Sequence, residues 1–120
     1  VSDAIFATID FMPTFANLGG FKIPNDRHID GIDQTDLLFG KRTKGRDYFY
    51  FNNAGIRQGK WKYLKANAHF HGYAIEDKRI KTEELYDLEN DLGETKNLAS
   101  QFPEKAAKLK ALMQSIEKFN

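Results

Sequence analysis

Hydrophobic and polar positions alternate with different periods along this chain. Ala106, Leu109, Leu112, Met113, Ile116 and Phe119 recur at three- and four-residue spacing, while Lys105, Lys108, Lys110, Glu117 and Lys118 fall between them. That pattern predicts an amphipathic helix of about four turns, with Pro103 at its first position and Glu104 favourable at its positive end. From Asp47 to Leu88 the period shortens. Tyr48, Phe49, Tyr50 and Phe51 suit a half-buried strand, and Asn53-Ala54-Gly55 a turn. Ile56 to Gln58 and Trp61 to Lys65 follow as strands across Gly59-Lys60, with Trp61, Tyr63 and Lys65 on one face and Lys62 and Leu64 on the other. Thr82 to Leu88 makes a fourth. Connections this short predict an antiparallel meander.

The beginning of the chain is less regular. Ala4 to Ile9 is apolar and β-branched enough for a short strand, with Asp10 as N-cap of a helix whose face is Phe11, Met12, Phe15 and Leu18. Pro13 falls in its first turn and Gly19-Gly20 supplies a left-handed cap. One continuous helix from Ser2 to Leu18, kinked at Pro13, is the rival reading. Phe21 to Ile32 is a loop, Asp33 caps a helical turn over residues 34–39 that Gly40 stops, and Lys41 to Arg46 is a solvated basic loop or, alternatively, a phosphate or sulfate contact. Between the third and fourth strands lies an irregular segment, Ala66 to Lys81. The expected fold class is α+β: a small antiparallel sheet of about four strands packed on one face by the C-terminal amphipathic helix.

Composition narrows the function classes. The chain has 120 residues, room for one domain with a modest core. Sixteen aromatic residues (10 Phe, 5 Tyr, 1 Trp) argue against disorder. A net charge of +1 gives no strong field toward nucleic acid or a membrane surface. No apolar run approaches the ~18 residues of a membrane-spanning helix. With no cysteine there is no disulfide framework, thiolate metal site or Cys nucleophile. The opening Val1-Ser2-Asp3, without Met, reads as a chain already in progress and predicts a fragment or a processed piece.

Candidate chemistry is sparse. Asp87, Glu89, Asp91 and Glu94 suggest half of a calcium loop, but the sixth position is Leu92 and the twelfth Leu98, so the acidic residues are expected to cap a structural turn. His69-x-His71 would place two imidazoles on one side of a strand; a metal site, a substrate contact and ordinary histidines all remain open. No Gly-rich phosphate loop is present, and neither Ser2, Ser100 nor Ser115 sits in a nucleophile elbow. The chain carries no self-contained catalytic constellation.

Four blocks, in order, carry a resemblance. Tyr86-Asp87-Leu88-x-x-Asp91-x-x-Glu94-x-x-Asn97-Leu98 resembles the C-terminal signature of the sulfatase family. Asp10-Phe11-Met12-Pro13-Thr14 running to Gly19 is similar to the family's Asp-Pro-Thr helix segment. Ile29-Asp30-Gly31-Ile32 with Leu37-Leu38-Phe39-Gly40 looks like its Asp-Gly loop and short helix, and Ile56-Arg57-Gln58-Gly59-Lys60-Trp61-Lys62-Tyr63 like its strand pair. One departure is Leu92, where the family usually has Pro. The resemblance implies the C-terminal subdomain of an alkaline-phosphatase-like sulfatase fold, with residues 1–46 a lead-in joining the main domain and residues 47–120 the sheet and helix.

Sulfatases are sulfuric ester hydrolases that use a formylglycine, made within Cys/Ser-x-Pro-x-Arg, beside a calcium ion. Phe15, Asp26 and Lys105 stand two residues after Pro13, Pro24 and Pro103, so no catalytic or metal residue carries over. Calcium and formylglycine are expected in an N-terminal part of the parent, whose catalytic domain would be this chain's partner. By resemblance, His69, His71, Arg57 and Lys62 are the candidate contacts to a sulfated small molecule or glycan. A periplasmic, secreted or lysosomal parent follows family habit. Two other readings compete: a stand-alone interaction or carbohydrate-binding module using the aromatic sheet, and a structural cap whose bared apolar face self-associates.

Overall fold

The computed structural model describes residues 2–51, 54–70 and 78–118, without the side chains of residues 69, 70, 78 and 79. The chain forms two compact units, Val1–Asp47 and Tyr48–Asn120.

In the first unit a 3-10 turn, Thr8–Asp10, leads into helix α1, Phe11–Leu18. Neither the strand expected over 4–9 nor the continuous helix from Ser2 forms. Ile5 gives its carbonyl to the Arg46 N–H (3.0 Å), and the Asp10 carboxylate accepts the Ala7 N–H (3.0 Å), which winds the chain into the turn. Asp10 therefore reaches backward instead of capping α1. The helix ends as expected: Gly20 takes φ +70°, the Gly20 N–H donates to the Asn17 carbonyl, and the Phe21 N–H to the Ala16 carbonyl. Gly31 lies so close to the turn that a Cβ there would stand 2.1 Å from the Ile9 carbonyl oxygen, so only glycine fits. Helix α2, Thr35–Leu38, begins where the Asp33 carboxylate accepts the Thr35 N–H (2.8 Å) and hydroxyl (2.6 Å).

The second unit is an antiparallel sheet with a helix on it. Strands β1 (Phe49–Phe51), β2 (Gly55–Gln58), β3 (Trp61–Leu64) and β6 (Glu84–Asp87) lie in that spatial order. The turn residue Asn53 lies outside the described residues. Alternation sends Ile56, Tyr63 and Leu85 to one face, all fully buried under Ala106, Leu109 and Met113 of helix α3, Pro103–Glu117. Tyr50, Trp61, Leu98, Leu112 and Ile116 complete this core, while Phe119 lies outside the described residues. Two of the helix's expected solvent-facing positions work differently. Glu117 bonds the Tyr50 hydroxyl (3.2 Å) and pairs with Lys65 (3.1 Å), and Lys110 pairs with Glu83, so polar ends fasten the helix to the sheet.

The opposite face is not bare, as one covered face implied. Ala54, Leu64, Ala68, Ile80 and Tyr86 form a second, smaller cluster there. It exists because the described ends of the 66–81 segment, residues 67–70 and 78–80, pair with each other. Asn67 N–H donates to the Ile80 carbonyl (2.7 Å), Ile80 N–H to the Ala68 carbonyl (3.1 Å), and the ladder continues into two-residue strands β4 (His69–Phe70) and β5 (Lys78–Arg79).

The acidic turn after β6 uses its polar side chains on backbone. Asp87 accepts the Glu89 N–H (3.2 Å); Asp91 accepts the Thr95 (3.1 Å) and Lys96 (2.8 Å) N–H groups. Asn97 accepts the Leu85 N–H (3.1 Å) and Ala99 N–H (2.9 Å) and donates to the Glu83 carbonyl (3.0 Å). Asn97→Ala should leave the Leu85 amide without an acceptor and cost about 2 kcal/mol. Urea unfolding followed by the fluorescence of Trp61, the single tryptophan, measures this; an unshifted midpoint would show that Asn97 does not hold the turn.

Candidate functional site

Two of the four candidate contacts are brought together. Arg57 of β2 stands directly across from Lys62 of β3, on the face away from α3. Two cations opposite each other on a sheet repel, so this pair needs a counter-charge. Glu94 supplies it: both its oxygens accept from the Lys62 ammonium, at 2.6 and 2.8 Å, and Lys62 is left 17% exposed. The same ammonium lies over the Phe51 ring, 5.6 Å from its centre, with Phe49 edge-on to Phe51. Arg57 Nε donates to the Gly59 carbonyl (3.0 Å). Tyr86, across from Lys62 on β6, donates its hydroxyl to Glu84 (2.9 Å). Burial first, and the Glu84 carboxylate second, push that phenol well above its usual range, so it stays protonated as a donor. His69 opens β4 in register with Arg79, and His71 and Gly72 lie outside the described residues.

This face offers fixed cations, a phenol and an aromatic wall. That suits an anionic, hydroxyl-bearing ligand. Among the described residues no group of three or more His, Asp or Glu side chains is arranged to hold a metal ion. Among the described residues no helix is long and apolar enough to cross a membrane.

The first unit has a different organisation. Asp10 is fully buried and accepts from the Ala7 and Ile32 amides, from Arg46 Nε (2.9 Å) and, more weakly, from Gln34. Arg46 also donates to the Asp30 carbonyl (2.6 Å), and Arg42 to Gln34 Oε1 (2.7 Å). The basic loop is thus not simply solvated: Arg46, 14% exposed, is spent on an internal ion pair. Its partner lies 36 residues earlier, and no local pattern announces it. Burial alone would raise the Asp10 pKa, but Arg46 and the two amides outweigh it and hold it down at about 2.

The apolar stripe of α1 points outward. Phe11, Met12, Phe15 and Leu18 are all exposed, Phe15 by 57%, while Pro13 and Thr14 face inward. Phe6, Phe11 and Phe15 pack in series at 5.2 and 5.4 Å, and Phe21 (73%) and Phe39 (65%) are bare as well. The helical face read from the sequence is therefore not this unit's own core; the unit is held from inside by polar bonds.

No protein-family model matches the chain. Curated relatives do. It is 31% identical over 121 residues to the N-acetylgalactosamine-6-O-sulfatase of Bacteroides thetaiotaomicron, covering 95% of this chain and 24% of that protein. It is 37% identical over 54 residues to arylsulfatase G of Canis lupus familiaris, covering 45% of this chain and 10% of that protein. A solved structure, described under the metabolism of multiple glycosaminoglycans by Bacteroides thetaiotaomicron, superposes with a TM-score of 0.76 at 30% identity, covering 96% of this chain and 25% of that one. The chain therefore spans about a quarter or less of the length of these proteins.

Because the folded Asp10 pKa lies below the ordinary carboxylate value of 3.8, its stabilisation is complete above about pH 4 and disappears as pH falls toward 2. The loss should be about 2 kcal/mol. Asp10→Asn should remove it at neutral pH, strand Arg46, and raise hydrogen exchange at the Ala7 and Ile32 amides. Unchanged exchange would show that the pair does not hold the unit.

Proposed function

We propose, from the premise that this chain belongs to the sulfatases and matches their C-terminal region, that it completes a sulfuric ester hydrolase whose catalytic groups lie elsewhere in a longer protein. The observation that carries this is the outward stripe of α1, an apolar seat held in a fixed shape by the buried Asp10–Arg46 pair. The rest of such a protein, with its calcium and formylglycine, would cover that seat. Residues 1–46 then act as the lead-in to the main domain and residues 47–120 as the subdomain that helps wall the pocket.

In this reading Arg57 and Lys62 meet the sulfated end or a neighbouring hydroxyl of the substrate, with His69 and His71 contributing from the 66–81 segment. The substrate class is a sulfated small molecule or glycan, and the protein works in the periplasm or outside the cell. A sulfate ester keeps its negative charge at any physiological pH, so permanent cations suit it better than a titrating group. Lys62 is already satisfied by Glu94; a ligand anion gains from it only by joining or displacing that carboxylate.

The test is a chimera: the Bacteroides thetaiotaomicron N-acetylgalactosamine-6-O-sulfatase with its matching region replaced by this chain. Hydrolysis of 6-sulfated N-acetylgalactosamine should persist. Phe11→Asp with Phe15→Asp should abolish assembly, while Arg57→Ala should raise KM about tenfold with kcat retained. A soluble, folded chimera without hydrolysis, or one indifferent to the Phe substitutions, would overturn the reading.

A further inference from the structure

The α3 side of the sheet carries a groove that the proposed function does not use. It has a volume of about 450 Å³ and is lined by Gln101, Phe102, Pro103, Glu104, Lys105 and Lys108. Phe102 is 45% exposed at its edge. Behind it stands Trp61, tilted against the Phe102 ring at 5.4 Å. Two ammoniums lie over the indole, Lys60 at 5.4 Å and Lys105 at 5.9 Å from its centre. Lys60 is neutralised by Asp87 and Glu89. Lys105 and Lys108 make no ion pair among the described residues.

The spacing is regular. Phe102, Lys105 and Lys108 follow at three-residue intervals from the N-cap into the first turns of α3, and all three line the groove. At 1.5 Å per residue the row runs about 9 Å along the axis. It therefore presents one aromatic face and then two cations, with a groove alongside. A pyranose ring lays its C–H face on an aromatic ring, and ionised sulfates on the following sugars meet ammoniums. A neutral sugar would use only Phe102 and leave the lysines idle.

We propose that this groove binds a sulfated glycan, with Phe102 stacking on one sugar and Lys105 and Lys108 contacting sulfates farther along the same chain. The sulfated class rests on the sulfatase reading; the aromatic and cationic row does not. This surface faces away from Arg57 and Lys62, so it is a second contact on the same unit and not part of the first.

Trp61 is the only tryptophan and touches the groove's aromatic edge, so its emission reports binding directly. The probe is an oligosaccharide carrying 6-sulfated N-acetylgalactosamine, titrated into the full 120-residue chain, with the same oligosaccharide lacking sulfate as the comparison. A saturable change with the sulfated probe alone is expected. Lys105→Glu with Lys108→Glu should weaken it about tenfold, Phe102→Ala should remove most of it, and Arg57→Ala should leave it intact. Lys108 is exposed, so Lys108→Glu alone, expected to weaken binding severalfold, guards against loss of folding in the other variants. Equal response to the unsulfated probe, or a response indifferent to charge reversal, would overturn the proposal. If the chimera above hydrolyses its substrate while Trp61 stays silent, this proposal falls alone. If the chimera is inactive while Trp61 still distinguishes the probes, the binding surface stands and the sulfatase reading falls.

Discussion

Asn97 stands where a further strand would stand beside β6. Its carbonyl oxygen accepts the Leu85 N–H, its amide donates to the Glu83 carbonyl, and the next residue, Leu98, donates its N–H to the Leu85 carbonyl. A strand edge left open is a template for another chain; here three bonds from two residues close it. The same bonds fix the direction in which the chain leaves the turn, and α3 follows within a few residues. Leu109 and Met113 then fall on Ile56, Tyr63 and Leu85. Core, edge and helix placement all depend on one side-chain amide and the acidic turn that delivers it.

The sheet's alternation then divides the labour. One face is covered by α3. The other carries Arg57, Lys62, Glu84 and Tyr86 beside a small apolar cluster. Glu94 links the two themes. It takes φ +54°, a conformation that costs a non-glycine residue on the order of 1 kcal/mol. In return its carboxylate meets Lys62 with two short bonds. The turn that anchors the helix thereby also sets the charge on the opposite face. Any anion arriving there competes with a carboxylate fixed by the fold.

What the sequence revealed follows from the length of each signal. Helix α3 spans four turns, and β2 and β3 are joined by a tight Gly59-Lys60 turn, so their periods survive single-chain reading. The family-like blocks were visible because their Asp, Asn and Gly residues each serve a backbone bond or a close approach, as Asp91, Asn97 and Gly31 do. Strands β4 and β5 have two residues each, too few for any pattern. The Asp10–Arg46 pair spans the whole first unit. The orientation of α1 was hidden for another reason: an apolar stripe predicts that a face is covered, not which molecule or segment covers it.

The first unit reverses the usual arrangement of a small domain. Its interior holds Asp10, Thr14 and Gln34, all fully buried, and its exterior holds Phe11, Phe15, Phe21 and Phe39. A buried ion pair is poor at generating stability, because desolvation offsets most of the attraction. It is good at fixing geometry, because breaking it strands a charge. An exposed aromatic stripe has the opposite character: it gains free energy from any apolar cover and specifies little by itself. Together they make a surface whose shape is set from within and whose energy is released only on being covered. That is the construction of one side of an interface, and it supports reading residues 1–46 as a seat for the remainder of a longer chain. The second unit differs in that its core is covered by its own helix α3.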